Sequence, residues 1–442
     1  MRIKFYYNIL LSYNMGGGLI QLVAKGQSDT YITGNPQFSY FKSVYRRHTN
    51  FSIESIQQSF KNMGQGTKII STISREGDLL CKMWLDVLLD RGNASATGEE
   101  TGRYLNWTNN TGHALIKECE IEIGGKTIEK HTSLWMDIYN ELFDHDEKEW
   151  IGLNKHTARD LYLTSGSPFE ISQKLKLYIP LHFWFTKDPG LALPIVSLSK
   201  HDVNLIINLR ETDKLFNTSN ELSFTKTTPS IELWCDYIFL DKEEQLRFVS
   251  EKRAYLIEQV QINDLKMQKR NQLHFFHPVK ELFWINQNNT VKKEGGVGDP
   301  FINATQNRPA FLNNKNDYFN YQASEYSDPE YLYGYDSYES FKTAKLEMNN
   351  VDRFDPRDAS YFRLCQPIQN KHKVPKKKIY NYSFALNPEE HQPSGTCNFS
   401  KLDDVYLIFT SNQNYQDQTL SVFAVNYNVL IVSSGMAGLV YK

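Results

Sequence analysis

The chain has 442 residues, with 49 lysines and arginines against 51 aspartates and glutamates and a formal net charge of -2. That length exceeds what one hydrophobic core commonly fills, so more than one domain is expected, and the near-neutral balance excludes a basic surface for direct nucleic acid binding. The cysteines Cys81, Cys119, Cys235, Cys365 and Cys397 fall at no disulfide or zinc spacing and read as reduced thiols.

Residues 1–14, MRIKFYYNILLSYN, have a basic start and a short apolar run without a small-residue cleavage site. They read as an extension ahead of a functional start at Met15 rather than as a signal peptide. An arm continues to residue 40. Gly16, Gly17 and Gly18 are expected to act as its hinge, and Leu19, Ile20, Leu22 and Val23 to bury apolar area against a neighbour.

Residues 41–240 read as a first domain of short strands, among them CKMWLDVLLD, LKLYIPLHFWF, DVNLIINLR and SIELWCDYIFLD. Their β-branched and aromatic residues recur at period two, and no alternation of strands with helices appears, which favours antiparallel sandwiches. In ALIKECEIEIGG, Cys119 shares the phase of Leu115, Ile121 and Ile123. The GKT of IEIGGKTIE resembles the end of a phosphate-binding loop, but Glu120 stands where that loop needs glycine, so Gly124-Gly125 reads as a hairpin turn. TSLWMDIYNELFDHDE predicts a helix with a Thr/Ser cap, with Leu134, Trp135, Ile138, Tyr139, Leu142 and Phe143 on one face. Asp144, Asp146, Glu147 and Glu149 read as its solvated end.

Residues 241–253 form a predicted linker helix, with Asp241 as N-cap and Glu244 completing a capping box. A second domain over 254–442 uses the same strand grammar, in LIEQVQI, KELFWINQ, YNYSFALN, DVYLIFT and FAVNYNVLIVSS. Within it, residues 299–341 are dense in asparagine, tyrosine and acids, as suits a long excursion carrying recognition residues. Tyr318, Tyr321, Tyr326, Tyr331, Tyr333, Tyr335 and Tyr338 are its candidate outer-surface residues. The basic run KHKVPKKK at 371–378 is expected to lie against this loop, in its own or a neighbouring subunit.

No HExxH, GxSxG or paired Cys/His pattern is present, and His274 and His277 would point to opposite faces of a strand. The sequence therefore offers no catalytic, cofactor or metal residues. Asparagines such as Asn50, Asn288, Asn381 and Asn398 sit in glycosylation sequons that need the secretory lumen and read as unoccupied.

Three segment pairs repeat in order. IEIGGKTIEKHTSLWMDIY from Ile121 resembles LEMNNVDRFDPRDASYFRL from Leu346, SKHDVNLII from Ser199 resembles SKLDDVYLIF from Ser400, and FKSV at Phe41 resembles FHPV at Phe276. Two tandem copies of one β-sandwich are the simplest account.

GGLIQLVAKGQSDTYITGNPQFSYFKSVYRRHTNFSIESIQQ, DPGLALPIVSLSKHDVNLII, WCDYIFLDKEEQLRF, HQPSGTCNFSKLDD and NYNVLIVSSGMAGLVY occur in the order found in the major capsid proteins of nucleocytoplasmic large DNA viruses, of the chlorella virus and iridovirus type. The chain resembles that family from Met15 to its C-terminus. The resemblance implies an all-β fold of two tandem eight-stranded jelly rolls with a few short helices and an extended N-terminal arm. It also implies a homotrimeric, pseudo-hexagonal capsomer that tiles an icosahedral capsid shell, assembled in the host cytoplasm, with no enzymatic activity and no cofactor. Neighbouring capsomers, minor capsid proteins and the inner membrane face are the implied partners of trimer and arm. The alternatives are a tandem jelly-roll carbohydrate-binding or attachment protein, a β-sandwich hydrolase, and a low-copy paralogous capsid protein.

Overall fold

The computed structural model describes residues 17–63, 67–90, 95–96, 105–108, 110–143, 174–218, 222–223, 228–289, 318–319, 321, 339–410 and 418–441. The chain divides between Thr49 and Asn50 into an arm and a body.

The arm holds helix α1 (Gly17–Val23) and a single turn, Thr30–Thr33. Gly17 and Gly18 therefore open a helix instead of forming the expected hinge, and Gly16 lies outside the described residues. Glycine weakens a helix chiefly in its interior, whereas these two occupy the first turn and Leu19 to Val23 carry the rest. Leu19, Ile20, Leu22 and Val23 are all exposed, as are Tyr31, Ile32, Phe38, Tyr40 and Phe41.

In the body, strands β1 (Phe51–Gln58), β2 (Lys68–Thr72), β3 (Leu79–Asp90), β4 (Ile116–Ile123), β5 (Lys126–Thr132), β6 (Lys174–Pro180), β7 (Val203–Leu209) and β8 (Ser230–Leu240) form two antiparallel sheets. Their orders are β1-β8-β3-β6 and β2-β7-β4-β5, the jelly-roll arrangement. Alternation builds the core: Met83, Leu85, Val87 and Leu89 of β3 point inward, while Lys82, Trp84, Asp86 and Leu88 face away. Between β5 and β6 lies helix α2 (Ser133–Leu142), capped as expected by Thr132, whose hydroxyl accepts from the Trp135 N–H at 3.4 Å.

Helix α3 (Lys242–Ser250) follows β8. Asp241 occupies its N-cap position with extended backbone, but its side chain makes no capping bond, so the expected capping box does not form. Phe248 of α3 instead packs on Leu79, Cys81 and Ile238 at the outer face of the first roll.

Strands β9 (Arg253–Lys266), β10 (Arg270–Gln272), β11 (Pro278–Asn288), β12 (Thr343–Met348), β13 (Val351–Asp352), β14 (Ile379–Ser383), β15 (Val405–Thr410) and β16 (Gln418–Ser433) repeat the pattern, in orders β9-β16-β11-β14 and β10-β15-β12-β13. The β4–β5 turn at Gly124-Gly125 and the β12–β13 turn at Asn349-Asn350 are matching two-residue hairpins, all four residues having positive φ. SKHDVNLII and SKLDDVYLIF likewise lead into the matching strands β7 and β15. The third sequence pair does not correspond: Phe41 precedes β1, the first strand of its roll, whereas Phe276 leads into β11, the third strand of its own. A four-residue match was too short to fix a register.

Candidate functional site

The β9-β16-β11-β14 sheet is apolar on both faces. Leu420, Val422 and Ala424 of β16, with Leu282 and Trp284 of β11, fill the second roll's own core. The alternate residues Phe423, Val425, Phe283 and Ile285 join the core of the first roll. One continuous core thus crosses the seam between the rolls, and α2 is its keystone: the Trp135 ring lies 5.6 Å from Phe283, edge-on, and 5.8 Å from Phe423. Sharing a core fixes the two sandwiches as one rigid body, since close-packed interiors do not slide.

Polar groups close the seam around this apolar centre. Lys187, at the end of a short helix after β6, meets Glu258 of β9 at 2.7 Å, and Lys280 of β11 pairs with the other oxygen of the same carboxylate. Burial alone would raise the Glu258 pKa, but the two ammonium groups outweigh it and hold the carboxyl at about 2. Burial likewise opposes the charge on Lys187, and Glu258 overcomes it, raising the lysine pKa.

A second set of contacts is made by the basic run 371–378, which forms a strap from the second roll onto α2. The Lys373 N–H donates to the Leu142 carbonyl at 2.8 Å, and the Lys376 N–H donates to Glu141 at 3.4 Å. Lys377 pairs with Asp137, a fully buried carboxylate that also accepts from the Asn110 amide at 2.9 Å and from the Tyr321 hydroxyl. The Lys377 ammonium lies 5.2 Å from the Phe319 ring centre and 5.6 Å from that of Tyr321. The run therefore does meet the tyrosine-rich segment of its own chain, through ring faces and Asp137.

Tyr318 and Tyr321, expected at the outer surface, are instead 1% and 2% exposed. Their rings fill the seam while their hydroxyls donate to the carbonyl of half-buried Lys214 and to the buried Asp137 carboxylate, and Arg210 stacks 4.2 Å from the Tyr318 ring centre. Tyrosine satisfies both demands because its body is apolar and its tip polar. Tyr326, Tyr331, Tyr333, Tyr335 and Tyr338 lie outside the described residues.

A cavity beside Trp135, lined by Cys119, His131, Met136, Tyr139, Leu181 and His182, has a volume of about 10 Å³, room for one water. The seam's charges face one another. They hold two sandwiches together and are not arranged around a space for substrate.

Comparison with known proteins settles the kind of scaffold this is. The family described as major capsid protein N-terminus matches residues 39–241, and that described as large eukaryotic DNA virus major capsid protein matches residues 244–438. The chain belongs to the large DNA virus major capsid protein family. It is 37% identical to the major capsid protein of Pyramimonas orientalis virus, and 34% identical to that of Paramecium bursaria Chlorella virus 1, in each case over 97% of this chain and 100% of the relative. Among solved structures it is similar to a chain of the PBCV-1 virus capsid, with TM-score 0.71 and 30% identity, covering 91% of this chain and 100% of that one. The Faustovirus major capsid protein shares the fold at 14% identity and TM-score 0.69, covering 92% of this chain and 94% of that one. The double jelly roll is thereby a capsid fold, and the protein is a structural component of a virion shell, not an enzyme.

Sequence reasoning missed the seam residues. Glu258, Lys187 and Asp137 belong to no motif, and their partners stand far off in the chain. A signal was available in the short apolar runs FAV and VLIV of β16 and LFWI of β11, where consecutive rather than alternate residues are apolar, as in strands buried on both faces.

Proposed function

We propose that three copies of this chain form a capsomer whose six jelly rolls, two per chain over residues 41–240 and 254–442 with 241–253 as the link, present a nearly six-fold outline. The observation that carries this reading is the shared core: because Trp135, Phe283 and Phe423 lock the two rolls together, each subunit supplies two walls at one fixed angle. Three such subunits related by a closed rotation approximate a hexagon, and hexagons tile a shell. The arm's exposed Leu19, Ile20, Leu22 and Val23 suit burial against neighbouring capsomers, minor capsid proteins or the inner membrane face once the particle assembles in the host cytoplasm. Tyr326, Tyr331, Tyr333, Tyr335 and Tyr338 would then serve contacts outside the shell.

Light scattering on the purified chain tests the proposal. A mass of about 155 kDa, three times the 51.5 kDa chain, with hexagonal outlines in negative stain, is expected. A stable monomer at micromolar concentration would overturn it.

A further inference from the structure

Where the strap leaves the second roll, three side chains converge that no strand or helix pairing requires. Glu281 of β11 is fully buried, and its Oε1 accepts from or faces His372 Nε2 at 2.9 Å. His372, whose side chain is also fully buried, turns its other nitrogen, Nδ1, toward Glu389 Oε1 at 2.9 Å, without hydrogen-bond alignment. One ligand atom from each of the three lies within 4.8 Å of the others. The second oxygen of Glu281 is buried and has no hydrogen-bond partner, which is costly for a carboxylate. Glu389 is the exposed member and opens the group to solvent.

We infer that Glu281, His372 and Glu389 form a binding site for a divalent transition-metal ion of the zinc class. Two carboxylates and an imidazole are the donor set such ions take, with water as a fourth ligand. The edge of a tetrahedron with bonds of about 2.1 Å is roughly 3.4 Å, so ligand atoms that lie within 4.8 Å of one another must draw together around an ion, and Glu389, the exposed member, is the one with room to move. The orphaned Glu281 oxygen gains a partner, and the ring edges of Phe143 and Phe283, 5.0 and 5.8 Å from the imidazole, hold it in place.

The ion would have a mechanical consequence. His372 immediately precedes Lys373, whose N–H is bonded to the end of α2, so metal at this point pins the strap and with it the first roll to the second. No sequence motif shows the site, because its ligands are spread over residues 281, 372 and 389 of the chain.

Zinc chloride titrated calorimetrically into chelator-stripped full-length protein tests the inference. One zinc per chain and a higher melting temperature with zinc are expected, with affinity at least tenfold weaker in Glu389→Gln and in His372→Gln. Cobalt(II) in place of zinc should give a visible spectrum without thiolate charge transfer. Glu389 is exposed, so Glu389→Gln should fold even if His372→Gln does not, and its zinc affinity is read against its own metal-free baseline in chelator. Absence of saturable zinc binding would overturn the site, and so would wild-type affinity in Glu389→Gln. Binding abolished by Cys365→Ser but retained in Glu389→Gln would do the same, placing the ion on the exposed thiol.

Discussion

Lys187 Nζ and Glu258 Oε2 lie 2.7 Å apart across the seam, one contributed by the first jelly roll and the other by the second. With Lys280 on the remaining oxygen, the carboxylate answers two ammonium groups in a largely desolvated place. Removing only the carboxylate strands both cations, and breaking a buried pair in this way typically costs about 3–5 kcal/mol. Glu258→Gln is therefore expected to lower unfolding stability by about that much in urea denaturation at neutral pH.

The same pair sets an acid limit. The folded Glu258 pKa, about 2, lies below its ordinary value of 4.5, so its contribution is complete above pH 4.5 and disappears as the pH falls toward 2. By linkage this amounts to about 3 kcal/mol. Wild type should lose that much more stability than Glu258→Gln between pH 5 and pH 2, as read from denaturant midpoints at each pH. Parallel curves for the two proteins would refute it.

Trp135 is 2% exposed and reaches from α2 to Phe283 and Phe423. Truncation leaves a void that a packed seam cannot refill, worth about 3–5 kcal/mol for Trp→Ala. The telling readout for Trp135→Ala is limited proteolysis: cleavage should begin near the strap, residues 371–378, before either sandwich unfolds.

Asp137, Tyr321 and Lys377 act as a unit. A hydrogen bond to a charged acceptor contributes about 1.5–3 kcal/mol, so Tyr321→Phe should cost roughly that, whereas Asp137→Asn also leaves Lys377 without its counter-charge and should cost more. Because the groups share one carboxylate, the double variant should lose less than the separate effects combined. A double-mutant cycle by chemical denaturation measures the difference.

What could be read from the sequence was local. CKMWLDVLLD announced its own alternation, IEIGGKTIE its own turn, and TSLWMDIY its own cap, because each signal is contained within a few residues of chain. The seam was hidden because Lys187 and Glu258, or Asp137 and Lys377, are joined only once the rolls have docked. Composition misled at Tyr318 and Tyr321: a stretch rich in tyrosine, asparagine and acid reads as surface, yet these two rings turn inward, where the Lys214 carbonyl and the Asp137 carboxylate accept from their hydroxyls. The glycine run misled in the opposite sense, since Gly17 and Gly18 accept a helix that the following aliphatic residues propagate.

The paired hairpins give a prediction in which the two rolls should differ. Gly124 and Gly125 have φ of 57° and 78°, while Asn349 and Asn350 reach 49° and 64°, so each roll solves the same two-residue turn with a different residue. A left-handed backbone costs an ordinary L-residue roughly 1–2 kcal/mol, and asparagine is among the few that visit it routinely. At Gly124 there is a second obstacle, because an added Cβ would come within 2.6 Å of the His201 ring. Gly124→Ala should therefore lose more than about 2 kcal/mol, combining backbone strain with displacement of His201. Asn350→Gly should change stability little or raise it, since Asn-Gly is the preferred sequence for this turn. Thermal unfolding of the two variants side by side checks the pair. A Gly124→Ala protein as stable as wild type would mean that the turn can flip to another type without disturbing the β4–β5 register.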